Sequence, residues 1–144
     1  MAGGKANTFD SDLLKLIFNA TPIANIADNA ASSPFTNLYV SLHTADPGVG
    51  GSQTTSEAAY TSYARVAVAR TSGGWTITGQ TVNPVAAINF PAATGGSETE
   101  TFFAVGTASS GAGKILYRGP LSASIAVISG VTPSLSTATA ITEG

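Results

Sequence analysis

The residues that could carry out chemistry are few in this chain and lie far apart. It has no cysteine and one histidine, His43, and charged residues make up 10% of its 144 residues. A zinc site built on one histidine would need at least three carboxylate or water ligands, an atypical set. Serine is plentiful, so a Ser-His-Asp triad can be imagined around His43, but no Gly-x-Ser-x-Gly pattern supports it. We interpret His43 as a strand histidine that is hydrogen-bonded to a loop.

Acidic residues occur in two close pairs. Asp10 and Asp12 fall at the start of a predicted helix, where the helix dipole favours negative charge. Glu98 and Glu100 lie two positions apart at the entrance of a predicted strand and therefore share one face. Glycoside hydrolysis needs two carboxyl groups at a fixed gap across a cleft, and no aromatic-rich platform accompanies these two. We predict that Glu98 and Glu100 are exposed to solvent.

Glycine-rich stretches resemble nucleotide-binding loops only superficially. The stretch 111–114 ends in Gly-Lys, but Ala108 and Ile115 stand where a phosphate loop needs glycine and Ser or Thr. The stretch 48–51 follows a predicted strand without a helix after it, so the dinucleotide fingerprint also fails. The net charge is −2 and the six basic residues are scattered, so no basic stripe is present to neutralise phosphates. We predict no catalytic, cofactor or metal site, no nucleic-acid partner and no small-molecule substrate.

Apolar runs in the chain are short. None approaches the ~20 residues of a membrane-spanning helix, and the first five residues lead into polar ones rather than into an apolar signal core. We therefore expect a soluble protein with no targeting segment and no membrane partner.

One helix is predicted near the start of the chain. Asp10 or Ser11 can cap it, Phe9 can pack against its first turns, and Thr21-Pro22 ends the pattern. The apolar residues at helical spacing are Leu13, Leu14, Leu16, Ile17 and Phe18. This apolar face could pack on the rest of its own chain or on a neighbouring subunit.

From Asn37 onward the hydrophobic period changes to two. Leu38, Val40 and Leu42 point to one side and Tyr39, Ser41 and His43 to the other. Further extended segments are predicted over 64–70, 75–78, 82–90, 101–107, 114–117, 124–129 and 134–142. The pattern predicts an all-β fold, an antiparallel β-sandwich of jelly-roll or Ig-like type with about eight short strands and a short N-terminal helix. We assign residues 1–22 to an arm and helix, and residues 23–144 to a single sandwich domain that contains a linker (23–36) and a long polar loop (49–61).

Assembly contacts are predicted on the helix and at two arginines. Each arginine could be a plain surface group or an anchor at a subunit contact. The predicted assembly interface comprises Phe9, Leu13, Ile17, Phe18, Arg65 and Arg118. An alternative surface is a carbohydrate-stacking platform, and its candidate rings are Tyr39, Tyr60, Tyr63 and Trp75, although Trp75 lies in an alternating strand that favours core burial.

Six stretches together resemble small virion proteins of tailed bacteriophages, and they extend over most of the chain. They are Leu13–Thr21, Leu38–Gly48, Tyr63–Val68, Phe103–Ala108, Leu116–Leu121 and Ile141–Glu143. Some proteins of this kind are described as tail fibres and others as head decoration (cement) proteins. The resemblance implies a structural role and brings no catalytic residues with it.

The resemblance and the scarcity of chemistry together predict a non-enzymatic virion structural protein. Our first choice is a capsid decoration protein on the phage head surface, a homotrimer whose partners are the major capsid protein and copies of itself. In that role, residues 1–8 would form an arm that reaches an adjacent capsid subunit. The second choice is a tail fibre or another tail-associated protein. The third is a carbohydrate-binding module for host attachment.

Overall fold

The computed structural model describes residues 5–23, 26–27 and 33–144. The described chain contains one helix, α1 (Asn7–Asn19), followed by nine strands. The strands are β1 (Asn37–His43), β2 (Val66–Ala69), β3 (Trp75–Thr78), β4 (Thr81–Pro84), β5 (Ile88–Asn89), β6 (Ser97–Gly106), β7 (Ile115–Ile128), β8 (Ser134–Leu135) and β9 (Ile141–Thr142). The prediction of an all-β, antiparallel sandwich class with a short N-terminal helix is confirmed. The predicted linker lies partly outside the described residues.

The chain divides into two compact units. The first takes its described residues from Met1–Thr36, Ala69–Ala87 and Ser136–Gly144, and the second comprises Asn37–Val68 and Ile88–Leu135. The predicted division into an arm (1–22) and one domain (23–144) stays a prediction. Among the described residues, no helix has the length and apolar character needed to span a membrane.

In the first unit, α1 packs against a three-stranded sheet of order β3-β4-β9. Leu14 and Phe18 are fully buried, and the Phe18 ring meets Trp75 edge to face with 4.7 Å between ring centroids. Residues four apart on a helix lie on the same face, so Leu14 and Phe18 define the side of α1 that faces this core. Trp75 is 2% exposed, which confirms the interpretation of Trp75 as a core residue.

The helix begins earlier than the sequence pattern predicted. Its first residue is Asn7, and Ala6 at the N-cap makes no side-chain hydrogen bond. The prediction that Asp10 or Ser11 caps the helix is therefore wrong. Asp10 lies inside the first turn and is buried, where it accepts a hydrogen bond from Gln80 Nε2 at 2.6 Å. Of the predicted arm, residues 1–4 lie outside the described residues, whereas Asn7 and Thr8 belong to α1.

The C-terminus of α1 is held by an arginine from outside the helix. Arg70 donates to the carbonyl oxygens of Leu16 (2.5 Å) and Ile17 (2.6 Å), which have no partner within the helix. A positive charge at this end also interacts favourably with the helix dipole. Arg70 therefore stabilises the docked helix.

Replacing Arg70 with methionine should lower the free energy of unfolding by about 2 kcal/mol, because two carbonyl groups lose charged hydrogen-bond donors. Urea denaturation followed by circular dichroism measures this change. Lys114→Met is the matched control, since Lys114 is exposed and its loss should change stability by less than about 0.5 kcal/mol. Equal midpoints for the two variants would contradict a capping role for Arg70.

The second unit is built on a four-stranded sheet of order β2-β1-β6-β7, together with a two-stranded sheet of β5 and β8. Strands β1 and β6 are antiparallel with Leu42 opposite Phe103 and Val40 opposite Val105. These residues and Leu38 are at most 6% exposed. The predicted apolar face of β1 is therefore confirmed as the core side of this sheet.

Four predicted segments are joined or divided in the observed strands. Segments 114–117 and 124–129 belong to one strand, β7. Its register on β6 shifts between Pro120, opposite Phe102, and Ile125, opposite Glu100. Since β7 is an edge strand, Pro120 interrupts no second ladder. Segment 82–90 is divided into β4 and β5, and segment 134–142 into β8 and β9.

Candidate functional site

The polar residues of the second unit converge where the long loop after β1 lies against that strand. The Thr44 N–H donates to Ser56 O and the Ala58 N–H donates to Leu42 O, both at 2.8 Å. Ser41 and His43 are 0% exposed. They lie on the face of β1 opposite Leu42, as predicted, and they are buried because the loop covers that face.

His43 joins a serine on its own strand to the loop. Its Nδ1 lies 2.9 Å from Thr55 O, and its Nε2 lies 2.9 Å from Ser41 Oγ. The carbonyl at Nδ1 must accept, so Nδ1 carries the proton and Nε2 accepts from the serine. Burial, the largest cause, lowers the pKa of His43, which favours this neutral form. The interpretation of His43 as a strand histidine bonded to a loop is confirmed.

The Ser41–His43 pair has the spacing of a nucleophile and its base. However, the third member is a backbone carbonyl rather than a carboxylate, and both side chains are completely buried. A substrate has no access to Ser41 Oγ in this arrangement. The pair therefore acts as part of the packed interior. Among the described residues, no cluster of three His, Cys, Asp or Glu side chains is arranged to hold a metal ion.

Gln53 fills a slot between two glycines of the β6–β7 hairpin. Its Nε2 donates to Tyr39 O at 3.2 Å, and its Oε1 accepts from the Ala108 N–H at 3.0 Å. A Cβ atom on Gly106 would lie 2.2 Å from Gln53 Cδ, and a Cβ on Gly113 would lie 2.2 Å from Gln53 Oε1. Only glycine leaves room for the buried amide at these two positions. Gln53 therefore fixes the loop to the sheet.

Arg65 forms a largely buried ion pair with Glu57, in which the two side chains are 2% and 15% exposed. Arg65 Nε and Nη2 lie 2.6 Å and 2.8 Å from the two Glu57 carboxylate oxygens, a bidentate arrangement. The same guanidinium donates to Ala108 O at 2.9 Å and to Gly111 O at 2.7 Å. Tyr63 adds a hydrogen bond to Glu57 at 3.0 Å. Arg65 thus joins the loop to the β6–β7 turn.

Glu98 and Glu100 occupy two different environments, and the prediction that both are exposed is wrong. Glu98 is half-buried, and its Oε1 accepts the N–H groups of Ala59 and Tyr60, each at 2.8 Å. Glu100 is 0% exposed. Alternation placed them correctly on one face, but it could not show that the loop covers this face.

Three of the four aromatic rings proposed as a stacking platform make contacts within the protein. Tyr60 is 3% exposed and donates its hydroxyl hydrogen to Pro91 O at 2.9 Å. Tyr63 packs edge to face on Tyr60 and stacks with Phe90. Trp75 is buried in the first unit. Tyr60 and Trp75 are therefore not available for stacking on a sugar, whereas Tyr39 and Tyr63 are half-buried, and a stacking role for them stays a prediction.

The six predicted assembly residues fall into two groups. Phe18 is buried in the core and the Arg65 side chain is 2% exposed, so neither is available at the surface of this chain. Phe9 is 38% exposed, Leu13 and Ile17 are half-buried, and Arg118 is 26% exposed in an ion pair with Asp46 at 2.7 Å. No described contact tests an assembly role for these four residues, and it stays a prediction.

A protein-family model described as Podophage GP4 fiber I protein gp80 matches residues 13–142. The chain belongs to this family. The family match supports a phage virion structural protein, so this coarser part of the prediction is confirmed, whereas capsid decoration is not. No curated protein matches the chain. The matched residues include all nine described strands and the second half of α1.

Proposed function

We propose that this protein is a structural component of the fibre of a tailed phage particle. The observation that carries the proposal is the family match over residues 13–142, whose description names a podophage fibre protein. That description fits the tail-fibre alternative better than the capsid decoration that the sequence analysis favours. The absence of enzymatic activity is part of the proposal.

The chemistry of the described residues supports a structural role. The groups best suited to catalysis are committed to the fold: His43 and Ser41 bond to each other in the interior, and Arg65 neutralises Glu57. Removing one member of such a buried pair costs several kcal/mol. These groups therefore contribute to the durability that a particle protein needs.

Assembly is proposed to use the outward side of α1. Phe9, Leu13 and Ile17 follow one another at intervals of four, so they form one stripe on the helix. This stripe lies apart from Leu14 and Phe18, which face the core. We assign it, together with Arg118, to contacts with further copies of the same chain in a homotrimer. The major capsid protein is a partner only in the capsid alternative.

The copy number and position of the protein in purified particles test the proposal. We expect quantitative mass spectrometry to find far fewer copies than of the major capsid protein, and gold-labelled antibody to mark fibres in negative-stain micrographs. A ratio near one copy per capsid subunit, with label spread over the head, would instead support capsid decoration. Absence from the particles would contradict both locations.

A further inference from the structure

The Glu98–Glu100 pair on β6 places one carboxyl group in the interior of the protein, where a negative charge is costly. Glu100 is completely buried, and among the described residues no donor group meets either of its carboxyl oxygens. Glu98, two residues earlier on β6, is held by the Ala59 and Tyr60 N–H groups. An ionised carboxylate without donors is very costly to bury. The neutral acid is therefore the favoured form of Glu100.

A protonated Glu100 has an O–H that needs an acceptor, and the Glu98 carboxylate provides one. Burial is the largest cause that raises the pKa of Glu100 to about 8, and the hydrogen bond and negative charge of Glu98 add to it. Two neighbouring carboxyl groups that share one proton are a known way of holding like charges close together.

We propose that Glu98 and Glu100 share one proton, and that loss of this proton in alkaline solution releases residues 59 and 60 from β6. The pair is thus a pH-sensitive contact between the loop and the sheet. The proposal does not depend on whether the protein belongs to a fibre or to the head.

Among the described residues, no basic side chain interacts with Glu100 to replace the proton. In the described part of the chain, Tyr60 on the loop is an ionisable group that interacts with Glu100 from another element. Burial, and then the charges of Glu100 and Glu98, raise the pKa of Tyr60 to about 12, so it stays neutral when Glu100 ionises. On the neighbouring strand Ile125 lies opposite Glu100, and residues 125–128 contain no ionisable side chain.

Ionisation therefore places two negative charges side by side. Hydroxide takes the Glu100 proton to give water and a second carboxylate. Glu98 is half-buried, so it reaches water with less rearrangement than Glu100 does. When the Glu98 side chain turns outward, its hydrogen bonds from the N–H groups of Ala59 and Tyr60 break. The hydrogens of these two N–H groups then exchange with solvent.

Glu100→Gln tests the stability consequence. The pKa of Glu100 has its usual value of about 4.5 in the unfolded chain and is raised to about 8 in the folded chain. The folded state therefore binds more protons between these values, and stability falls as pH rises. Relative to Glu100→Gln, the unfolding constant of the wild type should rise up to tenfold per pH unit between about pH 5 and pH 8, then level off. Asp12→Asn, which also removes one carboxyl group, should show the same pH dependence of the unfolding constant as the wild type.

Two measurements on the wild-type protein keep the proposal testable if Glu100→Gln does not fold. Carbon-13 NMR of the side-chain carboxyl groups should show one glutamate titrating near pH 8 rather than near 4.5. Amide exchange at residues 59 and 60, corrected for intrinsic base catalysis, should lose protection between pH 7 and pH 9. A Glu100 midpoint near 4.5, or protection unchanged across that range, would overturn the proposal.

Discussion

Replacing Arg65 with methionine should lower the free energy of unfolding by about 3–5 kcal/mol, the cost of removing one member of a buried ion pair. Glu57 would keep a hydrogen bond from Tyr63 but lose both guanidinium donors. The carbonyl groups of Ala108 and Gly111 would lose theirs as well. Urea denaturation, with the slope m checked to be unchanged, measures the loss.

Arg118→Met is the matched control for this prediction. Arg118 also pairs with an acid, Asp46, but the two side chains are 26% and 44% exposed. Exposed pairs contribute about 0–1 kcal/mol, so this variant should unfold nearly as the wild type does. If Arg65→Met were as stable as the wild type but failed to assemble into particles, the predicted subunit contact of Arg65 would be right and its structural role wrong.

The contrast between these arginines shows why the site was harder to predict than the strands. In the sequence, both are single arginines beside apolar or aromatic neighbours in an extended segment. Their roles are decided by partners far along the chain, since Arg65 contacts residues 43 and 46 positions away. The alternation of apolar and polar residues indicates which side of a strand a residue faces, but it does not indicate which other segment packs against that side.

The parts of the fold that could be predicted depend on local patterns. Strand β3 was predicted with its observed limits, and the alternation that identified β1 begins at its first residue, Asn37. The start of α1 was missed because its first turn, at Asn7, has no capping side chain. The burial of Glu100 was not predicted, because two glutamates close together in the sequence usually indicate an exposed face. The segment that covers this face, 57–61, lies about forty residues earlier in the chain.

Gly106→Ala should be strongly destabilising, because the added methyl group would displace the buried Gln53 side chain. The new Cβ would lie 2.2–2.6 Å from three atoms of the Gln53 side chain. Gln53 would have to leave its slot, with loss of its bonds to Tyr39 O and Ala108 N–H. Leaving these buried groups without partners costs about 1–3 kcal/mol each, so we expect a loss of about 2–4 kcal/mol in urea denaturation. Gly50→Ala is the control, since no atom lies within 4 Å of its added Cβ.

A double-mutant cycle separates this clash from a general effect of alanine in β6. Gln53→Ala alone should be destabilising, because it empties the slot and leaves the same two backbone groups unpaired. In that background the nearest atoms to the added Cβ are gone, so Gly106→Ala should cost less than about 1 kcal/mol. A coupling energy of about 2 kcal/mol or more between the two positions is therefore expected. If Gly106→Ala were as costly in the Gln53→Ala background as in the wild type, the glycine would serve the strand itself, and the loop after β1 would be held by the remaining backbone bonds and the Arg65–Glu57 pair.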